Sequence, residues 1–183
     1  MALTPSNMPA LGLPAPEFTL PDTQGNHVSL ADFAGSPLLV AFWCNHCPFV
    51  KHINSAFADF AAEYQPQGLS IVAISANDVT THPEDSPEKM GALAKQSGYV
   101  FPYLYDESQG VARAYEAACT PDFFLYNDAH QLVYRGRFDG STPGNDVPVT
   151  GAELRAAADT LLAGKAPAAE QNPSIGCNIK WRS

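Results

Sequence analysis

The run Leu38-Leu39-Val40-Ala41-Phe42-Trp43-Cys44-Asn45-His46-Cys47-Pro48-Phe49-Val50-Lys51 constrains this chain most: an apolar strand runs into two cysteines, and a helix opens on the second. A thiol at a helix N-terminus feels the partial positive charge of unpaired backbone N–H groups, which populates its nucleophilic thiolate at lower pH. Only one of the two can sit there. Proline favours the first helical position, so Pro48 puts Cys47 at the cap and leaves Cys44 in the preceding loop. Cys47 is therefore the expected nucleophile. Cys44 is spaced for a local disulfide with it, or to pack beneath the loop.

Strand and helix signals alternate around this run. Glu17–Leu20 and His27–Leu30, among Pro14, Pro16, Pro21 and Gly25, predict an N-terminal hairpin. Leu38–Trp43 reads as a strand covered on both faces, and Val50, Ile53, Phe57, Phe60 and Ala61 repeat at helical spacing up to about Tyr64. Leu69–Ala76 predicts a second buried strand, Ser86-Pro87 starts a helix running to about Ser97, and a short helix is expected over Ser108–Ala118. Phe123–Tyr126 and Leu132–Arg137 predict a hairpin, and Gly151–Leu162 a closing helix. Residues 1–10 read as an extension, 11–164 as one α/β domain, and 165–183 as an extended tail docking on it through Ile175, Ile179 and Trp181. The acidic insert Asn77–Glu88 reads as a solvated loop.

With 183 residues and 45% apolar content the chain can bury a full core. A net charge of −9 argues against nucleic acid or an anionic membrane as partner. The opening Met1–Pro9 has no basic start or long apolar run, so a cytoplasmic setting is expected, where four cysteines point to redox chemistry before a structural disulfide framework.

The strand ending Phe42-Trp43, Cys47-Pro48 opening a helix, and Thr120-Pro121 before a later strand together resemble the thioredoxin fold. Leu13-Pro14-Ala15-Pro16-Glu17-Phe18-Thr19-Leu20 resembles the redoxin branch, which includes alkyl hydroperoxide reductases and thiol-specific antioxidants. The likeness spans Leu11 to Leu162. Cys44-Asn45-His46-Cys47-Pro48 with Gly176-Cys177-Asn178-Ile179-Lys180-Trp181 is more closely similar to a bacterial peroxiredoxin-like subfamily. The fold so implied is a central mixed sheet flanked by helices, with an N-terminal β-hairpin and a C-terminal extended tail.

The resemblance implies a thiol-disulfide oxidoreductase acting on a disulfide-containing protein or small molecule, restored by a thiol reductant and needing no cofactor. Thioredoxins place three residues between the Phe-Trp pair and the attacking cysteine, which puts Cys47 in the nucleophile's position. The other register makes Cys44 the nucleophile and resembles the Cys-Pro-His-Cys site of disulfide oxidases. Pro121 is implied to be a cis-proline facing the nucleophile, with Thr120 offering its backbone to an extended substrate. Cys177 is a candidate resolving thiol and Cys119 a second one, His46 a residue that could tune a thiolate, and His52 solvated helix surface. Dedicated peroxiredoxins carry Thr or Ser where this chain has Cys44, Pro where it has Val40 and Arg where it has Pro121, so peroxide turnover is expected to be weak. Ala41 stands where many thioredoxins hold a buried acid. A third expectation, from another class, is a soft-metal module using Cys44, His46 and Cys47, with His52 or Cys177.

Overall fold

A computed structural model describes residues 3–183. Its strands are β1 (Leu3–Pro5), β2 (Thr19–Pro21), β3 (His27–Ser29), β4 (Leu38–Phe42), β5 (Ser70–Ser75), β6 (Tyr103–Tyr105), β7 (Cys119–Thr120), β8 (Asp122–Tyr126), β9 (Leu132–Gly136) and β10 (Ile175–Asn178). Its α-helices are α1 (Pro48–Tyr64), α2 (Pro87–Ser97), α3 (Gly110–Ala114) and α4 (Ala152–Leu162). Among the described residues no helix is long and apolar enough to cross a membrane.

The central sheet has the order β6-β5-β4-β8-β9, with β4, β5 and β6 mutually parallel, β8 antiparallel to β4, and β9 antiparallel to β8. The apolar run of β4 is continuous because both of its faces are covered. Leu39, Ala41 and Trp43 point to one layer, which contains Phe57 and Phe60 of α1, Met90 of α2 and Leu154 of α4. Leu38, Val40 and Phe42 point to the other, with Leu20, Leu30, Ala112, Tyr115 and Ile179. Strand β4 therefore delivers Cys44 and Cys47 from the middle of the core, and α1 leaves from the second of them. Ser86 caps α2 by accepting the Lys89 N–H, and Gly98 ends it in the left-handed conformation, as the sequence signals require.

The ends of the chain differ from the sequence reading. Leu3–Pro5 lies in the segment read as an extension, yet it is a strand. The tail holds a strand too, and the order β1-β10-β7 forms a second, three-stranded sheet. Cys177 faces Thr120 on one side and Leu3 on the other. Two glycines allow the tail this path. At Gly136 (φ +134°) a Cβ would fall 2.0 Å from the Asn172 carbonyl oxygen, and at Gly176 one would fall 2.0 Å from that of Thr120. Ile179 is buried, but Ile175 and Trp181 are exposed, so they supply little of the docking expected of them. Trp181 instead lies beneath the Arg113 guanidinium, 4.3 Å from its ring centroid.

Candidate active site

Cys47 is the N-cap of α1, in extended backbone (φ −65°, ψ 126°), with Pro48 at the first helical position. Cys44, Cys47, Cys119 and Cys177 are all outside any disulfide and all buried. The Cys47 thiol reaches the Thr120 carbonyl at 3.4 Å, and the Cys44 sulfur lies 3.5 Å from the Thr120 hydroxyl. The Thr120-Pro121 peptide is cis, and Pro121 leads directly into β8.

These neighbours set the electrostatics. A hydrogen bond from Cys44 is the main influence on Cys47; burial opposes it, and Cys177, the Val50 N–H and Thr120 add to it, so its pKa falls to about 5. Burial, then the bond given to Cys47, then the nearby Asp85 charge hold Cys44 protonated well above the usual thiol range. Burial and the same kind of bond to Cys47 push Cys177 up to about 12. The low-pKa sulfur of Cys47 thus has the Cys44 and Cys177 thiols and the Val50 N–H as donors, beside the Thr120 carbonyl. Cys119 is different: its sulfur is directed at the Pro121 carbonyl at 3.8 Å, and burial and the Asp122 charge raise its pKa.

The loop carrying Asn45 and His46 is pinned from the insert read as a solvated loop, and here the structure corrects the sequence. Asp85 is completely buried. Its Oδ1 accepts the backbone N–H groups of Asn45 (2.7 Å) and His46 (3.1 Å), and its Oδ2 pairs with His46 Nδ1 at 2.5 Å and accepts from Asn77 Nδ2 at 2.9 Å. Burial raises the Asp85 pKa, but the hydrogen bonds from His46, Asn77 and Asn45 outweigh it and leave it lowered. Asn45 also accepts the Tyr103 hydroxyl at 2.8 Å and donates to the Glu84 carbonyl at 2.9 Å. The His46 ring stacks on His82 with centroids 5.1 Å apart. Burial, then His46 and Lys180, lower the His82 pKa. Trp43 donates through Nε1 to the Tyr99 hydroxyl at 3.0 Å, fixing the end of β4. His52, read as solvated surface, meets the Ser141 hydroxyl at 2.7 Å and lies apart from the thiols.

Cys44, His46 and Asp85 offer ligand-type atoms within 4.8 Å of one another. Four donors already fill the acceptor positions of Asp85, so the trio is satisfied as a hydrogen-bond cluster without a metal. Asp122 heads β8, fully buried, and accepts the Ser6 hydroxyl at 2.8 Å. Burial raises its pKa to about 7 against the Ser6 bond and the backbone N–H groups of Ala118 and Phe123. Sequence reasoning missed Asp85, Asn77, Tyr103 and Asp122. Only Asp122 carried a signal, being an acid at the head of the apolar run Phe123-Phe124-Leu125-Tyr126.

A five-stranded mixed sheet between helices, with a capped cysteine facing a cis-proline, defines a thioredoxin-like protein. A solved thioredoxin-type structure from Neisseria meningitidis shares the fold at a TM-score of 0.64 and 24% identity, covering 81% of this chain and 89% of its own, a likeness of fold alone. Residues 11–135 match the AhpC/TSA family, and the chain belongs to it. It is 36% identical over 125 residues to the candidate peroxiredoxin Rv2521 of Mycobacterium tuberculosis, covering 68% of this chain and 73% of that one. It is 29% identical to the thiol-disulfide oxidoreductase ResA of Bacillus subtilis, covering 67% of this chain and 64% of that one. The crystal structure of a hypothetical protein, SMc02350, from Sinorhizobium meliloti 1021 superposes with a TM-score of 0.96 at 55% identity, over 98% of this chain and 99% of its own. Such relatives make redox chemistry at sulfur the common ground.

Proposed function

We propose that the protein is a thiol-disulfide oxidoreductase in which Cys47 is the nucleophile. The observation that carries this is the position of its sulfur: at the cap of α1, lowered to about 5, with Cys44 and Cys177 both hydrogen-bonded to it. The Cys47 thiolate attacks one sulfur of a substrate disulfide, forming a mixed disulfide and releasing the other sulfur as a thiolate. Cys44 then gives up its proton and attacks the Cys47 sulfur, closing an intramolecular disulfide and releasing the second substrate thiol; Cys177 is the alternative resolving group. A thiol reductant restores the dithiol. His46 and Asp85, whose ligand-type atoms lie within 4.8 Å of the Cys44 sulfur, form the group that takes its proton, and Thr120 and Pro121 shape the face across which the substrate lies. The reducing cytoplasm suits such a cycle.

Mass mapping of the oxidised protein tests the assignment, with Cys47 expected in the intramolecular pair. Cys47→Ser should abolish disulfide reduction, while Cys44→Ser should still attack and trap a mixed disulfide. If Cys44→Ser loses alkylation at neutral pH and Cys47→Ser keeps it, Cys44 is the nucleophile instead.

The relationship to a candidate peroxiredoxin favours a second reading, a thiol peroxidase. Cys47 would attack a peroxide oxygen, becoming a sulfenic acid as water or alcohol leaves, and Cys44 would condense with it, losing water. The groups around the thiolate are Cys44, Cys177, the Val50 N–H and Thr120, and none of them is an arginine. Arg135 and Arg137 are engaged with Gln171 and Glu153. Stopped-flow oxidation by hydrogen peroxide should therefore be slow, and a rate constant on the order of 10⁷ M⁻¹s⁻¹, approaching diffusion control, would favour peroxidase function.

A further inference from the structure

An extended polypeptide joins a protein most simply by pairing with an open strand edge. Here the edge beside Cys47 is the short strand β7, and it is taken. Strand β10 runs antiparallel to it, with Cys177 opposite Thr120 and Asn178 opposite Cys119. The fit leaves no slack, because the Gly176 Cα lies so near the Thr120 carbonyl that any side chain would collide with it.

Both flanks of β10 are fastened. Upstream, Ser174 N–H donates to the Ser6 hydroxyl at 2.8 Å and the Ser174 hydroxyl donates to the Pro121 carbonyl at 2.5 Å. Downstream, the Ile179 N–H donates to the Ala118 carbonyl at 3.2 Å and the Lys180 N–H to Asn77 Oδ1 at 2.8 Å. Gln109 closes the run, giving its amide to the Lys180 carbonyl at 2.9 Å and accepting the Arg182 N–H at 2.9 Å. With this strand in place Cys44 and Cys47 have no solvent exposure. The cavity that Pro121, Ser174 and Ile175 share with Phe49, Ile53 and Phe138 has a volume of about 50 Å³, space for a few water molecules and for no peptide segment.

We infer that β10 occupies the polypeptide-binding edge of this protein's own active site, so that Cys47 takes its oxidising equivalents from small disulfides and not from disulfides in extended protein segments. This deepens the oxidoreductase reading and rests on it. The exchange is the one already written: a small disulfide is reduced to two thiols while Cys47 ends in an intramolecular disulfide, and an external thiol returns the electrons.

The test compares the pre-reduced full chain against two probes, glutathione disulfide and the interchain disulfides of insulin, following loss of the Cys47 thiol by mass. The wild type should react with glutathione disulfide at least about tenfold faster than with insulin at equal disulfide concentration. Gly176→Val, which forces β10 off Thr120 and carries Cys177 away from Cys47, should change both rates and lower the ratio of the glutathione disulfide rate to the insulin rate by about tenfold or more. Should that variant fail to fold, Gln109→Asn shortens the clasp on Lys180 and Arg182. It should shift the ratio the same way, together with faster amide exchange at Ile179. Equal wild-type rates on both probes, or a ratio unmoved in a folded variant whose Ile179 amide exchanges faster, would overturn the inference. A Cys47 inert to both probes overturns the oxidoreductase reading, and the inference falls with it.

Discussion

Asp85 holds His46 twice, by its ring nitrogen and by its backbone N–H, from a position completely buried beneath the cysteine loop. The loop between Cys44 and Cys47 has no regular hydrogen bonding of its own, so this carboxylate substitutes for it. Asp85→Asn keeps the shape but sets an amide nitrogen against donors, and should cost about 1–3 kcal/mol in urea unfolding. Because the folded pKa of Asp85 is lowered, its contribution is complete above the unfolded value of about 3.9 and is lost as pH falls through the folded one. Asp85→Asn should therefore cost most at neutral pH and progressively less on acidification. A cost that does not change with pH would mean the carboxylate's charge plays no part.

The thiolate assignment gives a direct titration. Ultraviolet absorbance of the reduced protein should show one thiolate forming with a midpoint near pH 5, absent from Cys47→Ser. Cys44→Ala removes the largest contribution to that low value, so its midpoint should move upward. The folded pKa lies below the ordinary value of about 8.5, so the stability the thiolate adds is complete above that value and declines as pH drops toward about 5. The gap in unfolding free energy between reduced wild type and Cys47→Ser should narrow over that interval. A wild-type midpoint at or above the ordinary thiol value would remove the basis for Cys47 as nucleophile.

The parts of this site that were legible in the sequence are those fixed by short-range chemistry. Pro48 marks the helix start and so puts Cys47 at its cap, and the unbroken apolar run into Trp43 announces a strand covered on both sides. Asp85 was not legible, since its partners Asn45 and His46 lie 40 and 39 residues upstream and nothing local separates it from Glu84, which is exposed. The second sheet was hidden for the same reason. It joins Leu3–Pro5 to Ile175–Cys177 and then to Thr120, in strands of two to four residues, too short to show a period. The aromatic side chain of Trp181 suggested burial, yet its amphipathic ring is satisfied by an arginine at the surface.

Burial differs sharply along the tail, and stability should follow it. Ile179 is 1% exposed and packs against the Phe42 and Phe124 layer, whereas Ile175 is 46% and Trp181 36% exposed. Ile179→Ala should cost about 2–5 kcal/mol, the range for large-to-small changes in a core. Ile175→Ala and Trp181→Ala should each stay within about 1 kcal/mol. Denaturant midpoints of the three variants decide this, and equal costs would show that the tail is held by its backbone alone.

Asp122 supplies a pH dependence of opposite sign. Its folded pKa, about 7, lies above the unfolded value of about 3.9, so between those values the folded chain binds the extra proton and stability falls as pH rises. Asp122→Asn removes that titration while its side-chain oxygen can still accept the Ser6 hydroxyl. Urea midpoints measured from pH 4 to pH 8 should fall for the wild type relative to Asp122→Asn over that interval, the opposing rise contributed by Cys47 above about pH 5 being common to both proteins. The same residue connects the core to the tail, since Ser6 donates to Asp122 while accepting the Ser174 N–H. Ser6→Ala breaks both bonds at once, and should speed amide exchange at Ser174 and cost about 1–3 kcal/mol for the buried groups left unpaired. If Asp122→Asn shows the same pH dependence as the wild type, the carboxylate is ionised across the whole range and the proton sits elsewhere; if Ser6→Ala leaves Ser174 exchange unchanged, β10 is anchored without it.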